Sequence, residues 1–167
     1  SARNAYLSIQ QAFSALDRME VRGRDSAGVN VLVWGHEIEA SDNRVVPLLA
    51  GRTDDPLFTS RSVRVGSATR AWSFVYKAAA EIGELGDNTR VMRDAVRSDD
   101  LLRLLVSQPG ARVSVIGHTR WASVGIISEP NAHPVNSEEV GAAAGAPYLV
   151  AALNGDVDNH AEITLRR

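Results

Sequence analysis

The apolar residues of this chain repeat with two different periods. Near the start, Ala5, Ile9, Ala12, Phe13 and Leu16 recur at helical spacing, with Gln10, Gln11, Asp17 and Arg18 elsewhere around the turn. That pattern predicts an amphipathic helix over 4–19. Over 29–34 the period drops to two: Val29, Val31 and Val33 face one way, Asn30, Leu32 and Trp34 the other. This is a strand covered on both sides. Residues 45–49 and 62–65 are candidate short strands on either side of a turn-rich loop over 51–56. Residues 73–76 (SFVY) favour a strand inside a stretch whose spacing also fits a helix; the reading is a strand running into a helix over 77–85. Gly86-Asp87-Asn88 breaks that pattern. Asn88 then caps a helix over 89–96, and Ser98 or Asp99 caps another, with Leu101, Leu102 and Leu105 inward and Pro109-Gly110 as its stop. Residues 112–116 and 148–153 are the two clear late strands.

Bulk properties narrow the function classes. A chain of 167 residues suits one domain with a substantial core. The net charge is −2, with acids and bases mixed along the chain, so neither a nucleic-acid surface nor a polybasic membrane patch is expected. No apolar run reaches the ~20 residues of a spanning helix, and no signal-peptide pattern opens the chain. Cysteine is absent, which removes disulfides and thiolate metal sites and fits a cytoplasmic origin. No His-x-x-His pair exists, so no metal site is expected.

Three stretches carry the candidate chemistry: 21–29 (VRGRDSAGV), 117–134 (GHTRWASVGIISEPNAHP) and 148–163 (YLVAALNGDVDNHAEI). The second places Arg120 and Trp121 just past a strand-like run, where sites are commonly built. Together they resemble the glutaminase domain of class II glutamine amidotransferases, and most of all the glucosamine-6-phosphate synthase branch. That family shows RGYDSAG, GHTRWA, NAHP and NG blocks, and this chain has their counterparts in the same order. The resemblance covers roughly a third of the chain. It implies an α+β fold, the four-layer αββα sandwich of N-terminal-nucleophile hydrolases, here as an incomplete domain spanning 1–167.

The implied reaction is hydrolysis of glutamine to glutamate and ammonia, with ammonia passed to a sugar phosphate. It needs no cofactor. It does need a nucleophile, a base, oxyanion donors and a clamp for the amino-acid end of glutamine. The resemblance puts the clamp at Arg120, whose guanidinium fork matches a carboxylate in a bidentate way. It puts the oxyanion donors at Asn154 and Gly155, where an asparagine N–H and a backbone N–H converge on one oxygen. The plainer alternative for Asn154-Gly155 is a hairpin turn. Trp121 either shapes the glutamine pocket or packs in the core. His118 and His133 are read as structural, hydrogen-bonded within loops. Arg22, Asp25 and Ser26 form a fixed turn, with Gly23 and Gly28 where backbones run close.

The chain departs from the family in three places. Val124 stands where the family has histidine. The aspartate for the glutamine α-amine is expected in a later block, beyond Arg167. The nucleophile, an N-terminal cysteine entering a strand, is missing, because SARNAYLSIQ enters a helix at once. Ser1 is a poor substitute for the same reason. The stretch between the first two blocks is also longer than in the family, and the excess is assigned to surface insertions at 45–67 and 89–110. The implied partners are a sugar-phosphate isomerase domain outside this chain and sister copies in a homo-oligomer. Two alternatives stay open: another class II amidotransferase, such as the purine-pathway phosphoribosyltransferase, and a non-catalytic assembly or sensing domain.

Overall fold

In the computed structural model, which describes residues 1–66, 70–79, 84–122, 125–138 and 147–165, the predicted first helix is α1, Ala2–Met19. Its apolar stripe, Ala5, Ile9, Phe13 and Leu16, is buried as the spacing requires. A 3-10 turn, Glu20–Arg22, leads into β1, Ser26–Trp34. The short helix α2, Val46–Leu49, precedes β2, Val63–Val65, and β3, Trp72–Ala78. Helices α3, Asp87–Arg97, and α4, Asp100–Val106, follow, and then β4, Arg112–Arg120. The chain goes on through β5, Val135–Asn136, and β6, Val150–Ala151, to α5, His160–Leu165. The fold is mixed α+β.

Among the described residues the main sheet has the order β2-β3-β1-β4, antiparallel throughout, and β5 pairs with β6 separately. Side chains alternate across the sheet. Val29, Val31 and Val33 share one face with their partners Tyr76, Phe74 and Trp72 on β3 and Gly117, Val115 and Val113 on β4. α1, α3 and α4 cover this face, and Leu16 lies so close to Gly117 that a Cβ there would sit 3.3 Å from it. The opposite face carries Gly28, Asn30, Leu32, Ser73, Lys77, Ile116, His118 and Arg120. Tyr148 and Val150 line a cavity of about 200 Å³ over Asn30, Leu32, Ser114 and Ile116 there. β1 is therefore covered on both sides, and its one buried amide, Asn30, donates to the Ser73 hydroxyl at 2.6 Å and the Phe74 carbonyl at 3.1 Å.

Several expectations need correction. Residues 45–49 are helical, not extended: Pro47 sits in the first turn and removes a donor that a strand would use. Lys77 and Ala78 finish β3, and Glu84 and Leu85 are not helical. The rest of that expected helix, 80–83, lies outside the described residues. Asn88 is inside α3 rather than capping it, because Gly86 takes the cap position in a left-handed conformation (φ 94°). The Asn88 amide turns inward and donates to the Arg24 carbonyl at 2.8 Å. Asp99 does cap α4, accepting from the Leu101 and Leu102 amides. The strand over 148–153 shrinks to Val150–Ala151, the pair that has a partner strand among the described residues.

The two expected surface insertions belong to the core. Val45, Phe58 and Val63 are fully buried, as are Met92, Leu101, Leu102, Leu105 and Val106. Met92, Leu101, Leu102, Leu105 and Val106 join the α1 stripe in the cluster that covers the valine face, with Val45 and Val63 in it as well, whereas Phe58 packs against Lys77 on the other face. The two segments are tied together at Asp99. Arg52 donates to Asp99 Oδ1 at 3.0 Å and the Tyr76 hydroxyl to Oδ2 at 2.8 Å. Burial by itself would raise the Asp99 carboxyl, but the Arg52 hydrogen bonds and charge, with the Leu102 amide and Tyr76, outweigh it and hold the group below its ordinary value. Burial and the Asp99 charge push the Tyr76 phenol well up.

Asp99→Ala is expected to lower the unfolding free energy by about 3 kcal/mol, as it strands a partly buried guanidinium and a fully buried phenol. Because the folded carboxyl is held down, this stabilisation is full above the ordinary value of 3.8 and fades as pH falls below it. Urea unfolding of the parent and variant at pH 7 and pH 3 measures both effects; the gap between them should narrow at pH 3.

Candidate active site

β1 and β4 bring the motif residues together. Their register sets Ser26 opposite Arg120 and Gly28 opposite His118. Asp25 closes the end of the ladder: its amide donates to the Arg120 carbonyl at 3.2 Å, and its Oδ2 accepts from the Ala122 amide at 2.8 Å. Asp25 thus fixes the turn through Trp121, and Ser26 is buried beside it. Of the three residues expected to form one fixed turn, only Asp25 makes these turn contacts: Arg22 ends the preceding 3-10 turn and Ser26 is the first residue of β1, already paired in the ladder.

Gly28 lies between Lys77 of β3 and His118 of β4. A Cβ on it would fall 2.3 Å from the His133 carbonyl, so only glycine lets the His133 loop approach the sheet. Lys77 is fully buried and also holds this loop, donating from Nζ to the Pro130 carbonyl at 3.4 Å and lying over the Phe58 ring. Glu129 accepts from the Ser60 amide at 3.0 Å, and Ala132 is fully buried. The Asn-Ala-His-Pro stretch is therefore pinned to the sheet at several points, with a cis peptide between His133 and Pro134.

Arg120, Trp121, Asn154 and Gly155 border one concavity of about 320 Å³ despite their separation in sequence. Arg22, His118, Thr119, His133, Leu153, Asp156 and Val157 complete its wall. An adjoining groove of about 840 Å³ shares Arg22, His118, Thr119 and Asn154 and adds Met19 and Val21. Arg120 Nη1 donates to the Ile126 carbonyl at 3.5 Å, and Gly125 (φ 90°) lets that loop pass beneath the guanidinium. Trp121 is 71% exposed, which rules out core packing and leaves it at the rim. Asn154 and Gly155 are exposed, in a bend rather than a hairpin turn: the chain proceeds to α5, and Ile163 bonds back to the Asn159 carbonyl. Gly155 has φ 150°, a conformation that side chains disfavour.

The two histidines, read from sequence as purely structural, line the same concavity. Burial holds both imidazoles below their ordinary value; the nearby charge of His118, then that of Arg120, adds to the effect at His133. Their presence within the matched motifs was the signal; their meeting depended on long-range pairing. Val124 lies outside the described residues. Among the described residues no group of three His, Cys, Asp or Glu could hold a metal ion, and no helix is long and apolar enough to cross a membrane. A separate cavity of about 500 Å³, at the start of α1 between Trp34 and Arg112, touches none of the motif residues.

No protein-family model, curated protein or solved structure matches the chain. The site's geometry and the motif resemblance are therefore the basis for a functional reading.

Gly28→Ala should force the His133 loop off the sheet. The expected cost is about 1–3 kcal/mol in unfolding free energy, with faster amide exchange at 131–133 than in the parent. Hydrogen exchange followed by mass spectrometry locates the loss.

Proposed function

We propose that this chain handles glutamine as the glutaminase part of a class II amidotransferase of the glucosamine-6-phosphate synthase kind, with the αββα sandwich as its complete fold. One observation carries the reading: Arg120 and the Asn154-Gly155 pair border the same small concavity. The roles need that proximity, because glutamine's carboxylate and its reacting carboxamide lie at opposite ends of one short molecule. In this reading Arg120 holds the carboxylate and Trp121 walls the pocket. The Asn154 side-chain N–H and the Gly155 backbone N–H meet the oxyanion formed when the carboxamide carbon is attacked. The volume is at the small end of ligand clefts, which suits an amino acid.

The 167 residues contain no cysteine, so the thiol that such a mechanism uses is not among them. They are expected to bind glutamine weakly and not to hydrolyse it, since tight positioning needs the remaining groups. Ammonia would go to a sugar phosphate held by an isomerase domain outside these residues. A cytoplasmic homo-oligomer accompanies this reading. The absence of cysteine also favours a second reading, a non-catalytic domain that binds glutamine for assembly or sensing.

Glutamate release by the intact gene product, with and without its acceptor, separates the two. In the first reading Asn154→Ala lowers the turnover rate by roughly 10²–10³-fold with the fold intact, and Arg120→Ala chiefly raises the glutamine KM. An intact protein that binds glutamine but releases no glutamate supports the sensing domain. A protein that neither binds nor releases it ends both readings.

A further inference from the structure

β4 is an edge strand with an open side. The sheet order β2-β3-β1-β4 leaves it at one margin, and all nine of its residues pair with β1. Away from β1, no backbone N–H or C=O of residues 112–119 has a hydrogen-bond partner among the described residues. The opposite margin, β2, is only three residues long. Long open edges invite another strand and are commonly blunted by proline or a bulge. β4 has no proline, and its register with β1 is unbroken.

Concavities mark the space that such a strand would take. α1 runs alongside β4, with Leu16 against Gly117. Near the start of both lies the cavity of about 500 Å³, bordered by Asn4, Ser8 and the consecutive residues 110–113. Near the far end of both lies the groove of about 840 Å³, bordered by Arg18, Met19, Val21 and Arg22. That groove touches Gly117, His118 and Thr119 in succession. Successive strand residues belong to opposite faces, so the groove opens along the edge itself. Val113 and Val115 pack against the core yet stay half-buried, and Met19, Val21 and Ile116 are exposed. Apolar surface and unpaired backbone thus share one seam.

The seam is also cationic. Arg18, Arg22 and Arg112 have no carboxylate partner among the described residues, and Arg120 ends the strand. The acids near it are engaged elsewhere: Asp17 pairs with Arg93, Glu20 is buried on the Gly86 amide, and Asp156 borders the adjoining concavity. A second copy fits this edge poorly. Two β4 strands paired antiparallel about Ile116 would set Arg112 against Arg120, and like charges directly opposite destabilise a ladder. We propose that the β4 edge is a docking site for an extended acidic segment of a partner protein, which adds to the main sheet as a further strand. Its acidic side chains lie across from Arg112 and Arg120, and its apolar ones across from Val113 and Val115. Asn154 borders the same groove, so the docked segment reaches the margin of the candidate site. The docking itself does not depend on the glutaminase reading.

The test uses NMR of the isotopically labelled 167-residue chain and a synthetic peptide matched to the nine residues of β4. The peptide has glutamate at both ends, valine and threonine alternating between them, and blocked termini. Two control peptides carry either lysine at both ends or proline at the centre. The acidic peptide should shift the amides of 112–120 and slow hydrogen exchange at alternate positions along β4, while β3 stays unchanged. At low salt it should bind about tenfold more tightly than the lysine peptide, and the proline peptide should lose most of the protection. Arg112→Glu, a change at an exposed side chain, should weaken the acidic peptide and strengthen the lysine one. Peptides without effect at 112–120, or acidic and lysine peptides that bind alike, overturn the proposal. Protection of β4 that grows with the concentration of the chain alone also overturns it and gives the edge to a second copy. Protection already present in the intact gene product, and not displaced by peptide, overturns it in favour of the same polypeptide. Glutamine is titrated separately. Shifts at Arg120 with no peptide effect keep the glutaminase reading and remove the docking site, and the converse removes that reading alone.

Discussion

The pairing of β1 with β4 is the constraint on which the site depends. Side chains on a strand alternate, so the register that buries Val29, Val31 and Val33 under the helices also sends Gly28 to the other face, with His118 and Arg120 of β4 beside it. A slip of one residue would exchange the two sets. It would bury the polar residues under α1 and expose the valines. The core thus enforces the site without touching it: apolar burial on one face fixes where the cations stand on the other.

The Asp99 node does a different job. It ties the loop around Arg52, the strand β3 and the start of α4 to one buried carboxylate. Such a node is weak evidence of net stability, because desolvation offsets much of the attraction. Its effect is on specificity of arrangement, since each partner satisfies a group that would otherwise be stranded. The candidate site contrasts with it. Asn154 and Gly155 are exposed, on chain whose strand pairing among the described residues is the two residues of β6. Rigid scaffold and lightly held loop are a common division of labour between stability and function.

Sequence pattern revealed the elements whose neighbours are the core itself. The stripe of α1, the alternation of β1 and the Asp99 cap were legible because each rests on local spacing. The helix at 46–49 was not: Val45 and its neighbours have strand propensity, and Pro47 was the overlooked cue. The role of 45–67 and 89–110 was misread for another reason. Comparison with a family pattern measures excess length, but burial of Val45, Met92 and Leu105 depends on which sheet face lacks a cover. At the site, Arg120 and Asn154 were named from motifs, and Gly28 was singled out for close backbone approach. The two histidines were named but given no part in the pocket, since their contact crosses from β4 to a loop after it. Side chains that meet only through tertiary structure leave no periodic trace in the chain.

Electrostatics links the parts of the concavity. Arg22, Arg120 and two imidazoles face it, with Lys77 behind them and Asp156 at its edge, in a chain whose overall charge is −2. A local positive field of this kind favours anions, and glutamine hydrolysis presents two of them: the substrate carboxylate throughout, and the oxyanion in the transition state. The same field opposes a proton on either imidazole. Attraction of an anion and the lowering of the two imidazoles therefore share Arg120 as a contributor, although burial is the larger influence on each ring. Arg120 holds both effects most directly, because it borders the concavity and also lowers the affinity of His118 and His133 for a proton. The exposed parts of the pocket are open to water, where added salt screens charges over roughly 8–10 Å. The half-buried rings are screened less than the exposed mouth, so salt should weaken the attraction for an incoming anion before it frees the imidazoles to take up a proton.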